Sequence, residues 1–179
     1  SSPNPFQSSI EEVKSAFSLS SIENLRRSNN SQNVTERCIK SIGEIIGCYS
    51  NGNSYPALGF GAEIDGKLKN CFPLSLNVNN PCVNGIDGVV RAFNDALRSC
   101  RFKSCGPTLF SPVIRYASRY AIQSFEKNRS YSVLVVLTAG IINDMQDTID
   151  ALVDASRLPL SIILVGINVK KSKNDACNP

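Results

Sequence analysis

The sequence predicts an α/β domain in three layers, a mainly parallel sheet covered by helices on both faces. Three observations predict it. Tyr131 to Thr138 is an unbroken, β-branched apolar run, the pattern of a parallel strand buried on both faces. Leu160 to Asn168 is a second such run, and the amphipathic stretch Met145 to Ser156 between them makes a βαβ unit. Tyr55 to Gly61 is a third apolar strand, set between helical patterns on either side. The chain has 179 residues, 42% hydrophobic and 19% charged, which suits one folded domain rather than a disordered chain.

Taken in order, residues 1–30 form a loosely ordered N-terminal segment that carries a degenerate first strand or helix. Its opening, SSPNPFQSS, is polar and holds two prolines. From Ile10 onward two periods compete. Ile10, Val13, Phe17 and Ser20–Ser21 make a helical stripe, whereas Val13, Ser15, Phe17 and Leu19 alternate as a strand would. The helical reading is adopted for the first half. The main domain spans 31–169. Within it, Thr35 to Tyr49 puts Ile39, Ile42, Ile45 and Ile46 on one helical face, closed by the turn Ser50-Asn51-Gly52-Asn53. Phe72 to Leu76 reads as an outer strand. Ile86 to Ser99 and Pro112 to Lys127 are amphipathic helices, the second with proline in its first turn. Residues 170–179, with Lys170-Lys171-Ser172-Lys173, form a basic tail.

Composition excludes several functions. The chain has no histidine, which removes Ser-His-Asp triads, Cys-His dyads and HExxH zinc sites. A net charge of +4 without a dense basic stripe argues against a nucleic-acid partner. No apolar run approaches the roughly 20 residues of a membrane-spanning helix. The chain opens at Ser1 without a charged n-region or an h-region, so it reads as a processed product or an excised fragment.

Seven cysteines and no zinc spacing favour disulfides over metal. Cys71 with Cys82, and Cys100 with Cys105, each flank a short loop and are the candidate pairs. Asn29, Asn33 and Asn128 begin N-x-S/T sequons and are candidate glycosylation sites, although chance explains that number. Together these features set an extracellular, secreted location as the expectation, with a cytoplasmic one as the alternative.

Two segments could carry chemistry. Gly59-Phe60-Gly61-Ala62 follows a strand, but Ile64 takes the place of the third glycine of a dinucleotide loop, so a tight turn is the better reading. Cys105-Gly106-Pro107-Thr108-Leu109-Phe110-Ser111-Pro112 sets a Thr hydroxyl at the entry to a helix. Thr108 or Ser111 there is a helix cap on one reading, and Thr108 a hydroxyl ligand to a divalent cation on the other.

YPALGFGA (Tyr55 to Ala62), CGPTLFSPVI (Cys105 to Ile114), VLVVLTAGIINDM (Val133 to Met145) and DASRLPLSIILVGI (Asp154 to Ile167) resemble, in order and spacing, the copine-type von Willebrand factor A domain. NPCVNGIDGVVRAF fits the same family. The resemblance implies a Mg²⁺ or Ca²⁺ site built from Asp-x-Thr/Ser-x-Ser, a loop Thr and an Asp in a Thr-Asp-Gly turn. Thr108 matches the loop Thr. The turn reads Thr138-Ala139-Gly140, so Ala139 replaces its carboxylate. The first motif falls on Ala16-Phe17-Ser18-Leu19-Ser20, where Ser18 and Ser20 keep both hydroxyls and Ala16 replaces the Asp. In a second alignment it falls instead on Leu25-Arg26-Arg27-Ser28-Asn29. Asp144 faces the same rim, but one carboxylate does not rebuild the site. The expectation is therefore a non-enzymatic protein-binding or self-assembling module with a degenerate metal site and no cofactor. The alternative is a Mg²⁺- or Ca²⁺-dependent adhesion domain whose partner completes the site.

Overall fold

A computed structural model of the chain describes residues 12–20, 29–50, 53–77, 79–99, 102–103, 107–138 and 141–167. The first element is a strand, β1 (Glu12–Ser20), the alternating of the two readings of that stretch rather than the helical one. Alternation wins over the helical stripe because of where this strand lies. It pairs in parallel with β2 (Ser54–Phe60) on one side and with β8 (Ser130–Thr138) on the other. Without it, both neighbours would keep a row of unpaired backbone groups in the middle of the sheet.

The sheet order is β5-β2-β1-β8-β9, with β9 spanning Leu160–Gly166 and parallel to β8. The outer side of β2 is closed by two short antiparallel pieces, β5 (Phe72–Pro73) at its far end and β6 (Cys82–Asn84) at its start. The expected outer strand from Phe72 thus shortens to two residues. A separate small sheet joins β3 (Ala62–Ile64), β4 (Lys67–Lys69) and β7 (Phe102–Lys103). Asp65 and Gly66 link its first two strands at φ 51° and 77°, the left-handed pair that a two-residue hairpin turn requires.

Four helices complete the described residues: α1 (Asn29–Gly47), α2 (Gly85–Arg98), α3 (Ser111–Asn128) and α4 (Met145–Ala155). The first begins six residues before the expected Thr35. Alternation along β8 divides the core in two. Val135 and Leu137 join Tyr55, Ala57, Ile39, Val89 and Phe93 under α1 and α2. Leu134 and Val136 join Phe60, Ile114, Ala121, Ala151 and Leu160 under α3 and α4. Each face of the sheet therefore buries the apolar stripe of its own helix pair, worth roughly 1.5–3 kcal/mol per large side chain covered.

Candidate functional site

The parallel strands end together. Ser20 pairs with Phe60, Leu19 with Leu137, and Thr138 with Gly166. At this end the described residue 61 after β2 and residues 141–144 after β8 lie against the 107–110 loop, on the edge at which open parallel sheets bind ligands. Gly61 turns the chain out of β2 at φ 69°, and a Cβ there would lie 3.3 Å from the Pro107 carbonyl oxygen. The glycine reading as a tight turn holds, and this turn lets the 107–110 loop pack against β2.

Two neighbours after β8 fasten that loop. Asn143 Oδ1 accepts from the Thr108 N–H at 2.7 Å, and the Asn143 N–H donates to the Thr108 carbonyl at 3.0 Å. Asp144 goes further. Its Oδ1 accepts from the Phe110 N–H and its Oδ2 from the Ser111 N–H, both at 2.9 Å. The Thr148 hydroxyl also donates to Oδ1, at 3.1 Å. The carboxylate thus caps the N-terminus of α3 from another loop, where free N–H groups and the helix dipole favour negative charge. Burial pushes the Asp144 carboxyl up. The bonds from Phe110, Ser111 and Thr148 outweigh it and hold the group below its ordinary value.

Thr108 is buried in the fastened loop. The cap of α3 is supplied by Asp144 rather than by Thr108 or Ser111, and no side-chain cap comes from Phe110 at the N-cap position. Ser18 lies in β1 opposite Leu58 and Val136, Ala16 opposite Leu134, and Ser20 in the last position of the strand. Because β1 occupies Glu12–Ser20, the helix assumed by the second alignment does not form. Its motif at 25–28, together with Ala139, Gly140 and the tail 170–179, lies outside the described residues. Asn143 was missed. The Asn-Asp pair directly before a helix was the available signal, since both side chains favour helix entries and local backbone bonding.

A mainly parallel sheet packed against helices, with the 107–110 loop fastened at its carboxyl end, defines an α/β domain. The chain belongs to the copine family, whose model matches residues 24–174. Protein BONZAI 1 and Protein BONZAI 2 of Arabidopsis thaliana are each 42% identical to it over 137 residues, covering 75% of this chain and 23% of theirs. Copine-C of Dictyostelium discoideum is 37% identical over 139 residues, covering 77% of this chain and 25% of its own. The chain thus spans about a quarter of the length of these relatives. Among solved structures it is similar to proximal thread matrix protein 1 from the mussel byssus, with TM-score 0.49 and 11% identity over 88% of this chain and 38% of that one.

The family corrects the extracellular expectation, because these copine relatives point away from secretion. Cys38, Cys48, Cys71 and Cys82 are free thiols. Cys71 and Cys82, a candidate pair, are not bonded to each other. Burial also pushes the Cys71 thiol up to about 11, against the pull of Arg119, so it is a poor thiolate. Cys100 and Cys105 lie outside the described residues. Asn29 and Asn33 are part of α1 and Asn128 ends α3, and with secretion overturned these sequons carry no argument for sugar.

Proposed function

We propose that the chain is a von Willebrand A-type, three-layer domain that acts as a non-enzymatic protein-binding or assembly module and does so without a divalent cation. The observation that carries this reading is the use made of Asp144: both carboxylate oxygens are committed to the N–H groups of Phe110 and Ser111. A hard cation needs several oxygen ligands and enough negative charge to replace its hydration shell. Residues here do not fit that demand. Thr108 contributes a neutral hydroxyl, and Ala16 and Ala139 stand where the family pattern has carboxylates. Among the described residues no group of three or more acidic or cysteine side chains is placed to hold a metal. What remains is a rigid rim, pinned by Asn143 and Asp144, that can present backbone and hydroxyl groups to another protein.

Binding through shape and backbone groups needs neither a nucleophile nor a proton shuttle, in keeping with a chain that has no histidine. Calorimetric titration with Mg²⁺ and with Ca²⁺ tests the reading. The expected result is no saturable heat at micromolar to millimolar metal. Micromolar binding that Thr108→Ala abolishes would contradict it.

A further inference from the structure

A cavity of about 560 Å³ lies between α2 and the segment 74–83 that runs beside β2. Its walls come from residues 74–99 and so from neither end of the chain. One wall carries Leu74, Leu76 and Val83. The other is the face of α2 that holds Gly88, Ala92 and Ala96, all three buried. None of the three carries more than a methyl group, so the helix comes close to forming the floor with its backbone. Gly88 lets the walls meet at one end, where a Cβ would lie 3.3 Å from the Val83 Cβ.

The volume falls within the roughly 300–1,000 Å³ of cavities that hold ligands. Its shape points to a chain. The lining positions on and beside α2 run from 84 to 99, about 22 Å of helix, which is the length of about six or seven extended residues. Charge marks the rim. Arg91 and Asp95 line the cavity, and both are exposed. They stand one helical turn apart with the cation nearer the N-terminus, the weaker order for such a pair. Among the described residues neither side chain has a partner.

We propose that this cavity takes an extended peptide segment of a partner protein, in which an apolar residue is flanked by an acidic and a basic one. In an extended chain the two flanking residues lie about 6.6 Å apart on one side, and the residue between them points to the other. Arg91 and Asp95 are separated by about 6 Å along the helix. The flanking residues therefore meet both charges at once, the acid on Arg91 and the base on Asp95, while the apolar residue enters between Leu74, Leu76 and the small residues of α2. A rim of one cation and one anion matches such a segment. An anionic membrane or a nucleic acid would need a basic face instead. The proposal rests on the protein-binding reading above and names its surface and the chemistry of its partner.

Selection of a phage-displayed random heptapeptide library on the full chain, in chelator and reductant, tests it. The expected peptides share an apolar residue between an acidic and a basic one. Reversing one charge should reverse one position: Arg91→Glu selects a base in place of the acid, and Asp95→Lys an acid in place of the base. Both side chains are exposed, so both variants should keep the wild-type circular dichroism spectrum. The peptide selected on the wild type should shift the amide resonances of Leu76, Val83, Ala92 and Ala96. Arg91→Glu should weaken its binding roughly three- to tenfold. No enrichment, or a motif indifferent to both variants, would overturn the groove. So would a selected peptide that shifts the amides of the 107–110 loop instead. That result would leave standing the metal-free binding module, whose own test is the cation titration.

Discussion

Asp144 concentrates the logic of the rim in one side chain. It stands 33 and 34 residues from the amides that it caps, so no local pattern announces the contact, and only its place on the rim before α4 was legible. Truncation to Ala leaves the Phe110 and Ser111 N–H groups without their acceptor in a part-buried place, at a cost of about 1–3 kcal/mol. Asp144→Asn keeps an oxygen for one of them and should cost less. Urea unfolding at neutral pH measures both, and an unchanged midpoint for Asp144→Ala would refute the cap. The acid limb gives an independent check. A carboxyl held below its ordinary value adds stability that is full above the unfolded pKa, about 3.9. That stability is lost as pH falls through the lower folded value. Asp144→Ala should therefore lose most at neutral pH and converge on the wild type in acid.

At the scale of elements, α2, α3, α4 and the strands β2, β8 and β9 were legible because their apolar stripes are long. Ile86 to Ser99 became Gly85–Arg98, and Pro112 to Lys127 became Ser111–Asn128, within a residue at each end. Strands of two or three residues, such as β5 and β7, hold too little pattern to show a period. Helix pairing was not legible either. Gly43 in α1 lies where a Cβ would come within 2.6 Å of the Ile86 side chain of α2, so these helices touch through a glycine. Gly43→Ala gains up to about 1 kcal/mol of helix propensity. It also overpacks the crossing by about 1–3 kcal/mol. The clash should win, giving a net loss of about 1 kcal/mol, and thermal denaturation reads it. A stabilised variant would show that α1 and α2 cross elsewhere.

For the whole molecule, the decisive fact is the position of β1. Residues Val13, Ser15, Phe17 and Leu19 fit two periods, and nothing local chooses between them. The gap between β2 and β8 makes the choice, which is a tertiary effect. Deleting residues 1–20 would expose the ladders of both neighbours, at roughly 1–3 kcal/mol for each buried group left unpaired. That exceeds the usual stability of about 5–15 kcal/mol, so the truncated chain should lose cooperative unfolding. A folded truncation would contradict a self-supplied central strand. The proposed independence from a cation is likewise argued from the rim, where the one carboxylate described is already in use. Its most direct test is the melting temperature of the wild-type chain in millimolar Mg²⁺ or Ca²⁺ against the same protein in chelator. A cation held at a hundred times its Kd would add about 2.7 kcal/mol, a rise of roughly 5–10 °C for a domain of this size. The account predicts coincident melting curves; a rise of that order, lost in Thr108→Ala, would contradict it.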